Sequence, residues 1–532
     1  MAIMVMDTAL NKKVLAVAII AILSANTLAG EWQFKPQLII DETYSDNVNL
    51  AFNDNISSLV SQTGIELNTL FSSKKLEFTF NSKSVYAMYS HDHDTDDDFH
   101  TLDSTFRLKL APNGLALTGS AAISNQSRDT FRNALADIVS GDTIRVENYS
   151  IGLDYSINNR AYIINSGIQY FTTKSQDGIG EREGYSVNFQ SSNGSSARNI
   201  YWDASVDFSD YTNQGRSGDQ FQGEMKLGLI THYKFTPFLR YYDETNEGNL
   251  NNNDSSLESD SYGVGLRWLI NPKLLLDLSY NTPTGTQLDL DGNEQGNYAA
   301  ATIQWEPSQR TELNIDYGQR FYGDSYGLDL SHKNKRLTNT ITYVENIEAF
   351  TRNNFENVSL GSFLCPQGNI IDTSACFISN TGNINLDDFQ LITLNDFRLV
   401  EDLDRSLKKE LTWLSTLELA RTTFNVSLSS STRENLDTRV QDKNQRASFS
   451  IKRKISGKST LQLNFSYTDN HLSLEQDSER QDRYRRYNLE YDKSLNSKLT
   501  VKLGLSHLNR SSTTQSLNYE EDRIYLNFSK GF

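Results

Sequence analysis

Apolar and polar residues alternate one for one along most of this chain, and that period of two constrains its fold more than any other feature. Leu76, Phe78 and Phe80 interleave with Glu77, Thr79 and Asn81; Leu102, Phe106, Leu108 and Leu110 interleave with Asp103, Thr105, Arg107 and Lys109. Successive side chains of a strand point to opposite faces, so each such run is a strand with one apolar and one polar face. The pattern returns over 149–157, 200–208, 262–270 and 411–419. It ends in a strand that sets Ile524, Leu526, Phe528 and Phe532 against Arg523, Tyr525, Asn527 and Ser529. No amphipathic helical run competes with this series.

The connections alternate in length. Short turns are expected near 72–74, 112–114, 158–160, 271–273, 307–310, 456–458 and 496–498. Longer polar segments fall at 91–98, 128–141, 174–184, 243–260, 282–297 and 432–444. A soluble sandwich has no reason to lengthen every second loop, whereas a barrel of the bacterial outer membrane has short periplasmic turns and long extracellular loops. The fold class expected is therefore all-β, a transmembrane antiparallel barrel of roughly 24 strands. An even strand number leaves both ends of the barrel on the periplasmic side. The negative mean hydropathy follows, because only alternate residues meet lipid while the inward set faces water. Trp32, Phe34, Tyr262, Trp268, Trp305, Tyr317 and Trp413 fall near strand ends, where aromatic girdles form.

Residues 1–29 read as a secretory signal: Lys12 and Lys13, an apolar stretch over 14–23, and small residues before a cut after Ala29. The remainder, 30–532, reads as one barrel with a long loop insertion at about 346–405. That loop is long enough to fold inward as a constriction or to cover the pore. It holds both cysteines, Cys365 and Cys376, and a local disulfide is the economical pairing in an oxidising compartment. Two cysteines also remove zinc modules and iron–sulfur clusters. With Lys+Arg 50 against Asp+Glu 67, binding of nucleic acid through bulk positive charge is excluded.

Candidate chemistry is sparse. The densest group of potential metal ligands is His91, Asp92, His93, Asp94, Asp96, Asp97, Asp98 and His100, read as a solvated acidic loop tip. Asp289, Asp291, Asn293 and Glu294 have a faint calcium-loop cadence but lack the spacing and terminal glutamate of an EF-hand. His232, His332, His471 and His507 lie on different strands and loops, and no Gly-x-Ser-x-Gly elbow brings a nucleophile to them. No catalytic residue and no cofactor is assigned. The inferred inward face mixes Arg107, Lys109, Lys226, Arg267, Lys452, Lys454, Lys502 and Arg523 with Asp103, Asp154, Asp203, Asp207, Asp277, Asp316 and Glu490. Neither sign wins, which suits neutral or weakly charged polar solutes.

Two resemblances add to this reading. Ile524, Leu526, Phe528 and Phe532 resemble the C-terminal strand signal of bacterial outer-membrane proteins, with Lys530 as a departure. That signal implies outer-membrane lipid and the barrel-assembly machinery as partners. The opening Glu31-Trp32-Gln33-Phe34-Lys35-Pro36, running into Asp41-Glu42-Thr43-Tyr44-Ser45-Asp46-Asn47-Val48, resembles outer-membrane proteins of the PEP-CTERM/exosortase system of Gram-negative exopolysaccharide producers. So does Trp305-Glu306-Pro307-Ser308-Gln309-Arg310-Thr311-Glu312-Leu313, continuing through Gly318-Gln319-Arg320-Phe321-Tyr322-Gly323 to Leu328 and His332. The resemblance implies a single barrel accompanying exopolysaccharide genes, and no reaction.

Three functions are then expected as alternatives: a conduit or accessory for exopolysaccharide, a general diffusion porin, or a non-transporting surface scaffold whose acidic loops bind ions or polysaccharide. An energised transporter is disfavoured because the first strand begins near Trp32, without room for a plug.

Overall fold

The computed structural model describes residues 30–349 and 405–532 apart from breaks at 113, 128–136, 177, 179–180, 214–215, 232, 249–254, 286–287, 291, 437–438 and 475–477. Between 350 and 404 it describes the backbone of three strands. The signal segment and Cys376 lie outside the described residues, as does the side chain of Cys365.

Twenty-four antiparallel strands close into one barrel. They are β1 Gly30–Ser45, β2 Ser58–Ser73, β3 Leu76–Tyr89, β4 Asp97–Lys109, β5 Leu115–Ser127, β6 Thr143–Asn158, β7 Tyr162–Ser175 and β8 Arg182–Asn193. Next come β9 Ile200–Asn213, β10 Arg216–Leu229, β11 Phe235–Gly248, β12 Ser261–Asn271, β13 Leu274–Pro283, β14 Tyr298–Ser308, β15 Thr311–Arg320 and β16 Gly323–Asn334. The last are β17 Leu337–Ala349, β18 Arg405–Glu418, β19 Thr422–Asn435, β20 Gln441–Ser456, β21 Ser459–Leu474, β22 Ser478–Ser494, β23 Leu499–Ser512 and β24 Tyr519–Gly531. Each strand pairs with its chain neighbours, and β1 pairs with β24 from Gln37↔Gly531 to Ser45↔Arg523. No edge is left to pair with another chain. A short strand, Ser255–Glu258, only extends β11.

Both described ends of the barrel lie at the rim that carries the short turns, here the turn end; the opposite rim is the loop end. Along β1, Trp32, Phe34, Leu38, Ile40 and Tyr44 are exposed while Ile39, Thr43 and Ser45 are buried, so the predicted alternation places apolar residues outward. Trp268, Trp305, Trp413, Tyr262 and Tyr317 are exposed on the same outer surface. At about 3.4 Å per residue and a tilt of about 40°, the stretch from Phe34 to Tyr44 climbs roughly 26 Å, close to the roughly 25 Å apolar band of such barrels. A continuous outer band of this kind cannot rest in water; it is the lipid-facing surface of a membrane-spanning barrel. Phe532 closes the seam, its N–H donating to Pro36 O (3.2 Å). Lys530 shares the outward face and lies 6.0 Å from the Phe532 ring, at the turn-end rim where an ammonium can reach water.

The loop end departs from expectation in places. The segment expected over 432–444 is mostly strand, since β19 runs to Asn435 and β20 resumes at Gln441, and strand also takes both ends of 174–184, where β7 runs to Ser175 and β8 starts at Arg182. Strands that extend beyond lipid have water on both sides, so hydrophobic contrast vanishes while the ladder continues. The outward alternation over 262–270 also stops early, because a register shift between Leu269 and Asn271 displaces Ile270. In the long connection, Asn354–Pro366, Phe377–Ile378 and Phe389–Val400 form a separate antiparallel sheet; the inward folding expected of this segment lies outside what is described.

Candidate functional site in the lumen

A circular barrel of this strand number would measure on the order of 48 Å between opposite backbones, too wide for wall side chains to fill. What narrows it is therefore decisive. The register places every charged residue expected on the inner face there, and many are neutralised locally. Arg107 meets Asp154 (3.0 Å), Lys502 meets Glu490 (3.7 Å), and Arg267 grips Asp277 with two hydrogen bonds (2.7 and 2.5 Å). Arg267 also lies 3.9 Å over the Tyr201 ring.

On one side the wall folds toward itself at the loop end. Arg320 at the end of β15 reaches Glu244 on β11, with Nε donating to Oε2 (2.8 Å) and Nη2 to Oε1. Arg405 on β18 donates to Asn246 O on β11 (2.7 Å), and Gln220 on β10 donates to Ile347 O on β17 (3.4 Å). Phe321, Leu407 and Leu436, from three different connections or strands, are buried together, with Leu257, Leu290 and Ile347 packed against them. This clasp joins β10–β11 to β17–β18 above the shorter strands between them. The sector from β12 to β16 is thereby closed at the loop end.

On the other side a strap runs along the inner wall. Residues 137–142, in the connection from β5 to β6, pass in front of β4, β3, β2 and β1 to reach β24. Asp137 binds the Arg523 guanidinium at 2.5 and 3.2 Å, and Arg523 also donates to Glu521 (2.6 Å). Tyr89 OH donates to Ile138 O. The turn is held by its own side chains: Asp137 Oδ1 accepts from the N–H groups of Val139 (3.1 Å) and Ser140 (3.2 Å). Enclosure in the barrel alone would raise the Asp137 carboxyl; the Arg523 guanidinium more than offsets this and holds it below the usual carboxylate range.

The strap also explains an anomaly on the wall. Val60, Val85, Ala87, Tyr89 and Phe99 share the inner face by register, where a watery lumen calls for polar residues. They are buried because Ile138 and Val139 pack on them. Beneath the strap lies a cavity of about 500 Å³ whose lining includes Asp41, Glu66, Lys83, Glu490, Lys502 and Tyr525. Tyr525 OH donates to Glu490 (2.6 Å) on a strand two places away. The ring can lie flat along the wall because a Cβ at Gly504 would overlap it. The sequence reading took 128–141 for a polar loop; the apolar pair Ile138-Val139 inside it, matched by apolar residues on the inner face, was the signal for the strap.

The acidic tip is held by local pairs. Asp92 caps a short helical turn over His93–Thr95, His93 meets Asp96 (3.2 Å), and Asp96 Oδ1 accepts from the Tyr89 N–H (2.7 Å). Among the described residues no group of three metal-ligating side chains converges. His100 stands on the outer surface between Ser84 Oγ (3.0 Å, to Nδ1) and Asp98 (2.7 Å, to Nε2). This arrangement has the members of a triad but lacks its setting, since Ser84 is mid-strand with β2 and β4 paired on either side, and the N–H groups beside it are spent on the ladder. His332 bonds Thr311 and His507 bonds Asp522, far from one another. Asp289 and Asn293 close an ordinary turn, Asn293 N–H donating to Asp289 Oδ1 (2.8 Å); Asp291 and His232 lie outside the described residues.

No family model matches this chain, and no curated protein matches it. Among solved structures, a mutant of the ferric enterobactin receptor PfeA from Pseudomonas aeruginosa is similar at 10% identity and a TM-score of 0.42, over 94% of this chain and 80% of that one. The siderophore receptor PirA from Acinetobacter baumannii gives 10% and 0.42 over 94% and 80%. OccAB4 from Acinetobacter baumannii gives 9% and 0.36 over 96% and 100%. At these identities and scores they are relatives in general architecture, and the functional reading below rests on the geometry of the chain itself.

Proposed function

We propose that this chain is a porin-like channel of the Gram-negative outer membrane, open to polar solutes, with its loop end outside the cell. The observation that supports it is a wide barrel whose wall is lined with polar groups and which, among the described residues, is narrowed by the clasp and the strap. Such a lumen passes solutes by diffusion and sorts them by size and weakly by charge. Purified protein in a planar bilayer is expected to give discrete ohmic conductance steps. Correctly folded protein that gives none would remove the channel reading in favour of a surface scaffold.

A conduit or accessory for exopolysaccharide, in keeping with the PEP-CTERM/exosortase resemblance, is supported by one feature of the wall. From β17 to β21 the inner face carries rows of small hydroxyl and amide side chains: Thr342, Thr412 and Ser429 in one, and Thr338, Thr416, Asn425, Ser450 and Asn464 in another. Both rows offer hydrogen bonds to a sugar chain; the longer carries no charge along it, whereas the shorter runs on into Arg446 of β20. Unchanged surface polysaccharide, in amount and length, after deletion in the native host would abandon this second reading.

A further inference from the structure

We infer that the outer surface of β20–β22 at the loop end is a docking site for a phosphorylated glycolipid of the outer leaflet. The outward residues of the loop-end rim are acidic around most of the barrel, as with Glu42, Asp98, Glu183, Asp210, Asp243 and Asp324. One sector is the reverse. Arg483 and Arg485 project outward from β22, and Lys443 from β20 shares that face, opposite His471 of β21. All four are exposed.

Their height is set by an aromatic pair. Phe465 and Tyr487 lie across from each other with ring centroids 5.0 Å apart, and Tyr487 is exposed toward lipid. Arg485 stands two residues beyond Tyr487, about 5 Å higher along a tilted strand, and Arg483 about 10 Å higher. The headgroup layer above the hydrocarbon is about 5–8 Å thick, so Arg485 stands within it and Arg483 just above its outer edge, within reach of a phosphorylated sugar headgroup. A guanidinium on a lipid-facing surface is costly within hydrocarbon and is tolerated at the level of anionic headgroups.

The patch is also ordered before any ligand arrives. The largely buried Asp469 accepts from Gln481 (2.9 Å), Tyr467 OH (3.1 Å) and Arg483 Nε (3.4 Å) and lies 3.3 Å from His471. It steadies Arg483 while offsetting one of three full positive charges; Glu479, outward and exposed nearer the strand's end, offsets a second, so the site remains cationic by one. Guanidinium groups side by side suit a phosphate monoester, which can take paired hydrogen bonds from them. A free phosphate offers the same oxygens but no acyl chains to lie against Phe465 and Tyr487.

The test uses the full chain folded in phosphatidylcholine nanodiscs doped with bis-phosphorylated lipid A, with the lipid retained per barrel counted by native mass spectrometry. The wild type is expected to retain about one molecule, and the variant K443Q/R483Q/R485Q about fivefold less. Dephosphorylated lipid A should be retained as poorly as by the variant, and millimolar inorganic phosphate should not displace the bound lipid. Heat-modifiable gel mobility confirms folding; if the triple variant does not fold, R485Q alone should still lower retention. Equal retention by wild type and folded variant, equal retention of the dephosphorylated lipid, or full displacement by inorganic phosphate would each overturn the inference.

Discussion

Replacing Arg320 by methionine should test the clasp directly, because it removes one partner of a buried ion pair and leaves the other in place. The Glu244 side chain is 2% exposed and that of Arg320 13%. Glu244 would keep only Tyr242 OH (2.8 Å) and Asn246 Nδ2 (3.2 Å) as donors. Breaking a buried pair by removing one member costs about 3–5 kcal/mol. The two remaining neutral donors place R320M near the lower end, about 3 kcal/mol. E244Q should cost slightly less, since Arg320 would retain Tyr322 OH (3.1 Å) and Glu345 O (3.2 Å). Removing both charges in E244Q/R320M leaves no uncompensated ion, so the double variant should cost no more than either single variant instead of their sum, a coupling of about 3 kcal/mol. Urea unfolding in lipid vesicles, followed by tryptophan emission and gel mobility, measures all four corners of the cycle. A cost below about 1 kcal/mol for R320M, or additive single variants, would show that the pair is not a sealed contact and that the β12–β16 sector is open.

Three further outcomes are expected. D137N should free the strap and raise single-channel conductance and the size limit in liposome swelling; identical conductance in wild type and D137N would show that the strap does not narrow the pore. The Asp137 carboxyl is held below its ordinary value, so the latch is complete above about pH 4 and is lost as pH falls through the depressed value; conductance should be flat from pH 7 to about 4 and rise only below it, and a rise already between pH 7 and 5 would contradict the assignment. All five tryptophans, Trp32, Trp202, Trp268, Trp305 and Trp413, lie on the outward face. Brominated phospholipid should therefore quench most of the emission of folded protein, and an unquenched spectrum would be incompatible with a lipid-facing outer band.

Much of the barrel could be read from the sequence where one face meets lipid. The outward rows of β1 and β24, and of β12 as far as Trp268, alternate through the apolar band because a one-residue slip would turn the polar inner row into hydrocarbon. The same contrast is missing at Thr432, Arg433, Lys443 and Asn444, where the strands stand beyond the hydrocarbon and both faces meet polar surroundings, and there the sequence suggested loops. Asp154, Asp277 and Arg523 were recognisable as lumen residues from parity, but their partners were not. Arg107 is 47 positions from Asp154 and Asp137 is 386 from Arg523.

The sheet, its lipid-facing side and its closure follow from the order of residues alone, because these depend on a period of two and on short turns between chain neighbours. Tertiary structure decided the shape of the space inside. Whether Arg320 meets Glu244 across four strands, or Asp137 reaches β24, depends on curvature and on which connection turns inward. Those are properties of the closed ring, since a wall residue's neighbours across the lumen are set by geometry in three dimensions and leave no periodic trace along the chain.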